Sequence, residues 1–170
     1  TATVIAPTFI DAPILLIENS FIEDPYISNP EEAKVVVDME NATAVFDCIG
    51  SCKFMALLLM AEDFIDIISA TTGWDLDVEE FRTSGERVYN LMRAFCVREG
   101  ITRAEDKLPA RLMKDPLPGG NAEGMVVDEA DFDLMKDTYY ENRGWNKETG
   151  IPSPEKLQEL ELTDVVGDMT

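Results

Sequence analysis

Histidine is absent from this 170-residue chain. Its absence removes zinc sites of the Cys/His type, Ser-His-Asp triads and histidine general bases. Cysteine is almost as scarce: Cys48, Cys52 and Cys96 make three, an odd number set in helix-like sequence. That is a poor disulfide framework, and it points to a reducing, cytoplasmic setting. Positive charge is short too. Lys and Arg total 14 against 34 Asp and Glu, a formal net charge of −20, so a nucleic acid or an anionic membrane is not an expected partner. Long apolar runs are missing; the longest, Phe54 to Met60 with Ala61, is too short to span a bilayer. The N-terminal stretch contains Val4, Ile5 and Ile14–Ile17 but no basic region, and Pro7 and Pro13 interrupt it, so it does not read as a signal peptide. Thr1 stands in place of a Met, from which a processed product, a trimmed chain or a fragment is expected. Internal repeats and low-complexity segments are also lacking.

What is present is ordinary globular material, 45% hydrophobic and 28% charged, enough for one domain over residues 1–170 to bury a core. The acidity is spread along the chain and reads as solvated helix faces. Residues 1–28 form an irregular arm, with short extended segments expected near Thr3–Ile5 and Ile14–Ile17. Asn29-Pro30-Glu31-Glu32 is a helix start, with an N-cap, a proline and two acids in the first turn. Ala33, Val36, Val37, Ala44 and Val45 then recur at helical spacing to about Asp47. After Gly50-Ser51 a second helix is expected from Cys52 or Lys53 to Thr72, stopped by Gly73.

Asp77 opens a third helix, with Glu80 placed to complete a capping box. Phe81, Val88, Leu91, Met92, Phe95 and Val97 give that helix its apolar face, Gly85 marks a kink or close packing, and Gly100 ends it. Thr102 caps a short turn over 103–106, and Leu108-Pro109 starts another helix to about Met113. Asp115 to Gly124 is a loop. A further helix over about 129–142 buries Phe132, Met135 and Tyr139, and Ser153-Pro154-Glu155 opens a last one through Leu160. The expectation is an all-α, irregular multi-helix fold with an irregular N-terminal arm. Met55, Met60, Met92 and Met113 read as core filler. Arg82, Arg87, Arg93, Arg98 and Arg103 read as structural ion-pair partners of Glu86, Glu99 and Asp106, not as an anion-binding stripe. Gly119-Gly120-x-x-x-Gly124 lacks the Lys-Ser/Thr of a phosphate loop and is rejected as one.

The segment able to carry chemistry is Asp47-Cys48-Ile49-Gly50-Ser51-Cys52. Gly50 permits a tight reversal. Cys52 at a helix start, beside Lys53, favours the thiolate that binds metals, and Asp47 can offer a carboxylate to a ligand's hydrogen-bond donors. Both cysteines equally suit burial in a core, and three thiolates cannot hold a [4Fe-4S] cluster alone. No catalytic residue is identified.

Asp47-x-x-Gly50-x-Cys52-Lys53-Phe54 resembles the Asp-x-x-Gly-Leu-Cys segment of the tungsten-dependent aldehyde:ferredoxin oxidoreductase family. The resemblance continues through Arg87 to Gly100, Thr102-Arg103, Asp106, Leu108-Pro109-x-Arg111 and Pro116-Leu117-Pro118. It closes with Tyr139-Tyr140-Glu141-x-Arg143-Gly144-Trp145, Gly150-Ile151-Pro152 and Lys156-Leu157. The likeness covers roughly residues 30 to 162. It implies the helical C-terminal domain of a longer enzyme interconverting aldehydes and carboxylic acids with ferredoxin, or another electron-transfer protein, as redox partner. It implies tungsten, or molybdenum, on two pterin dithiolenes beside a [4Fe-4S] cluster, both shared with upstream domains. Cys52 would be the fourth cluster ligand. Asp47 would accept hydrogen bonds from a pterin, against which Gly50 and Ser51 would pack. Ser51 departs from the family's Leu, and Cys96 from an asparagine often found near Phe95. Two other functions stay open: aryl-thioester reduction of the benzoyl-CoA type within the family, and a cofactor-free acidic helical interaction module.

Overall fold

The computed structural model describes residues 32–52, 55 and 59–169; the N-terminal arm and its expected extended segments lie outside them. Among the described residues six α-helices follow in order: α1 (Glu32–Cys48), α2 (Ala61–Thr72), α3 (Val78–Arg98), α4 (Ala110–Lys114), α5 (Glu129–Arg143) and α6 (Pro154–Glu159). Short 3-10 turns occupy Arg103–Glu105 and Thr163–Met169. The described residues contain no strand, only an isolated antiparallel bridge between Trp145 and Pro152. The all-α expectation holds.

Helix ends fall where the local chemistry places them. The Asp77 carboxylate accepts the Glu80 N–H at 2.8 Å, Asp128 caps α5 and Ser153 caps α6. Gly73 and Gly144 close α2 and α5 in the left-handed conformation. The capping box lies elsewhere than expected, on Thr102 and Glu105; the Glu80 carboxylate turns instead to Arg87. The larger correction concerns α2. It starts at Ala61 and not at Cys52, because Met60 is extended and its N–H is captured by the Asp63 carboxylate at 2.8 Å.

Two layers of packing hold α1 against α3. At one end Val45 and Phe46 meet Phe64, Ile65 and Phe81; at the other Ala33 and Val37 meet Tyr89, Tyr139, Tyr140 and Trp145. Residues late in α1 thus touch residues early in α3, so the two helices run in opposite directions. Gly85 stands at their crossing, against the Asn41 backbone. This is close packing; α3 is continuous through it.

The apolar face expected of α3 is also corrected. Leu91, Met92 and Phe95 are about half exposed, while Phe81, Gly85, Asn90, Arg93 and Ala94 are buried. Arg93 is fully enclosed and grips both Asp106 oxygens at 3.0 and 2.7 Å, with its Nε donating to the Gly150 carbonyl at 2.7 Å. Tyr140 donates to the same Asp106 carboxylate. A second enclosed arginine, Arg143, bonds Glu40 at 2.6 Å and Asn41 at 2.5 Å, and Tyr139 donates to Glu40 at 2.6 Å. Each charge is matched and hydrogen-bonded, the condition for a buried ion to be tolerated. Of the arginine partners expected from sequence, Asp106 and Glu99 hold, whereas Glu86 pairs with Lys156. Phe132 and Met135 are only half-buried. Met55, Met60 and Met92 are exposed and do not fill the core.

Candidate functional site

The chain leaves α1 through a hydrogen-bonded reversal. The Gly50 N–H donates to the Asp47 carbonyl at 3.2 Å and the Ser51 N–H to the Phe46 carbonyl at 3.0 Å. Gly50 has φ +69°. These are the two bonds and the left-handed residue of a Schellman cap. A side chain at Gly50 would meet nothing within 4 Å but would strain the backbone. With its carbonyls satisfied inward, the turn presents its side chains outward: Asp47, Cys48 and Ile49 are exposed, Ser51 is half-buried and Cys52 is exposed. Cys52 accepts the Met55 N–H at 2.9 Å through its carbonyl.

The turn is rigidly founded. Phe46, just before Asp47, lies 4.6 Å from the Phe64 ring and 6.4 Å from Phe81, centroid to centroid. Sequence reading missed Phe46 as an anchor because its partners sit on two other helices, and no local pattern links them. It also attributed thiolate character at Cys52 to a helix start. Since α2 begins at Ala61, the dipole of that helix gives no support to Cys52.

The structure brings Asp47, Gly50, Ser51 and Cys52 together on one turn, and the reading of Cys48 and Cys52 as sealed core thiols is overturned by their exposure. The donor set suits the groups implied above: a soft sulfur for iron, and a carboxylate that accepts but does not donate. Among the described residues, no three His, Cys, Asp or Glu side chains gather as a metal site. Chemically, the turn can lend a ligand and an acceptor; it holds no acid–base pair.

Fold and turn define a helical domain carrying an outward-facing donor turn at one end of an antiparallel helix pair. The sequence profile described as aldehyde ferredoxin oxidoreductase, domains 2 and 3, matches residues 5–162. The tungsten-containing aldehyde ferredoxin oxidoreductase of Pyrococcus abyssi is 37% identical over 144 residues, covering 84% of this chain and 23% of that protein. The enzyme of the same name from Pyrococcus furiosus is 34% identical over 142 residues, 83% of this chain and 23% of the relative. This chain therefore belongs to the aldehyde ferredoxin oxidoreductase family. It spans about a quarter of the length of these curated relatives. Among solved structures, the active site complex BamBC of benzoyl coenzyme A reductase, with bound 1,5-dienoyl-CoA, superposes with a TM-score of 0.65. That match has 24% identity and covers 91% of this chain and 26% of the other, a likeness of fold alone.

Proposed function

We propose that this chain is the C-terminal helical part of a cytoplasmic tungsten (or molybdenum) pterin enzyme that interconverts aldehydes and carboxylic acids. In this reading residues 1–170 form one domain, with 1–28 as an arm, and the upstream domains of the enzyme are its partners. Ferredoxin or another electron-transfer protein exchanges electrons with it. The metallopterin supplies the redox chemistry, and the [4Fe-4S] cluster carries electrons away.

This chain's own residues bind and orient. Cys52 is the cluster ligand, Asp47 accepts hydrogen bonds from one pterin ring, and the Gly50–Ser51 backbone packs beside it. The observation that carries the reading is the exposure of the Cys52 thiol on a fixed turn, in a family whose relatives are tungsten-containing oxidoreductases. A ligand shared between domains must face outward from each of them. Aryl-thioester reduction has only the likeness of fold behind it, and the sequence likeness favours the aldehyde enzymes.

The test is Cys52→Ala in the intact longer enzyme. Iron per polypeptide should fall, and the cluster's electron paramagnetic resonance signal should weaken or shift. Full iron content with an unchanged signal would remove the ligand assignment and leave an acidic helical interaction module.

A further inference from the structure

Phe81, Val88 and Phe95 recur two turns apart along α3, and Leu91 and Met92 fill the space between the last two on the same face. The start of this stripe is covered, since Phe81 is buried among Phe46, Phe64 and Ile65. Its continuation lies open. Val88 is half-buried, and Leu91, Met92 and Phe95 are about half exposed. Asn90 and Arg93, in the same stretch, are buried with polar partners. A helix that turns polar side chains inward and a contiguous apolar stripe outward has the face of an interface.

A cleft runs beside the stripe. Leu91, Ala94, Phe95 and Arg98 line it with Val165 of the C-terminal 3-10 turn, around a volume of about 150 Å³. An apolar cavity of that order accepts a benzene ring, so the cleft has room for one aromatic or aliphatic side chain. Arg98 frames it, with its guanidinium carbon 4.9 Å from the centre of the Phe95 ring.

We infer that the later half of α3 is an interface within the longer enzyme, covered by an apolar surface of its other domains that seats a side chain in this cleft. The choice of occupant rests on the function proposed above. This chain matches only 23% of the Pyrococcus abyssi relative, so most of such an enzyme is polypeptide outside it. A second copy of the chain is the poorer occupant: each carries a net charge of −20, and like charges oppose the approach. A domain joined in the same polypeptide meets the stripe at high effective concentration. The Cys52 turn adjoins Phe46 and Phe81, and Phe95 lies roughly 20 Å further along α3 at the helical rise. Contact at both places holds the domain at two separated points. The stripe thereby sets the direction in which the fixed turn presents its thiol.

The test is methionine footprinting with hydrogen peroxide, on the intact longer enzyme and on the 170-residue chain. Free methionine in the same tube serves as the rate reference. Met92 should be oxidised to its sulfoxide about tenfold more slowly in the enzyme than in the chain. Equal and rapid oxidation in both would overturn the inference. Equal protection in both would overturn it too, by placing the cover within these 170 residues. Protection of the enzyme that vanishes on dilution would give the stripe to a second copy, again against the inference. Iron content in Cys52→Ala reads the ligand and Met92 reactivity reads the cover, so the two readings fail separately.

Discussion

Gly85 of α3 lies against the backbone of Asn41 in α1. A Cβ built on it would stand 2.9 Å from the Asn41 Cα and closer still to the Asn41 carbonyl. The helix pair that supports the Cys52 turn is spaced by this contact. Gly85→Ala should therefore lower stability by about 3 kcal/mol, because a backbone cannot yield as a side chain does. Gly100→Ala, left-handed but with nothing within 4 Å, should cost about 1 kcal/mol. Urea unfolding of the two variants checks the order; equal losses would deny the close contact its role.

The enclosed Arg143 and Glu40 supply a second expectation. Arg143→Ala leaves the Glu40 carboxylate buried without its cation and should cost about 3–5 kcal/mol. Replacing both by apolar residues should cost much less than the two single changes together, since no charge is then stranded. A double-mutant cycle on thermal or urea midpoints measures this coupling, and simple additivity would contradict it.

How far the sequence foretold this depends on range. Gly73, Asp77, Gly144 and Ser153 were legible because a cap is satisfied within four residues of itself. The inward face of α3 was not. Hydrophobic spacing selected Leu91, Met92 and Phe95, whereas the buried positions include Asn90 and Arg93. Their partners Trp145, Asp106 and Gly150 are remote in the chain. Asp63 likewise delays α2 through one side-chain bond that competes with helix continuation. The turn residues Asp47, Gly50, Ser51 and Cys52 were legible as a group because they are consecutive. The exposure of the thiols was not, since cysteine suits both sides of a surface.

Alkaline titration offers a third measurement. Burial, above all, raises the pKa of Tyr139, and burial followed by the bond to Asp106 raises that of Tyr140, both from an ordinary value of 10.0. A folded-state pKa above the unfolded one means that the fold retains the proton more tightly. The resulting stability is complete below pH 10.0 and declines as pH rises toward the folded values. Phenolate absorbance should therefore lag behind that of free tyrosine and then rise with unfolding. Tyr139→Phe with Tyr140→Phe should abolish the delayed phase. Ionisation of all tyrosines near pH 10 in a chain still folded by circular dichroism would refute this.

Glu161 is the one described non-glycine residue with positive φ, at 59°. Its ion pair with Arg87 spans 3.9 Å at an exposed position, so little is lost with the carboxylate. Glu161→Gly should raise stability by up to about 1 kcal/mol. A lower melting temperature would show that the side chain contributes more than its contacts suggest.

Metal uptake gives the last expectation. Incubated with iron and sulfide under reducing conditions, the 170-residue chain should remain colourless and inactive, because its three cysteines fall short of the four thiolates a cluster needs and the function proposed above assigns it one of them. A stoichiometric visible chromophore would contradict the sharing of ligands.

The bond from Arg93 to the Gly150 carbonyl, and the packing of Trp145 on Ala33 and Val37, also constrain how the polypeptide matures. Its earliest described helix cannot be sealed until the chain through Trp145 has left the ribosome. A nascent chain arrested before Trp145 would expose the flank of α1 and leave the Arg93 Nε without the Gly150 carbonyl, which is the kind of surface that chaperones hold. Acquisition of native shape is thus expected as a single event once Gly150 has emerged, and not as a helix-by-helix accretion before it.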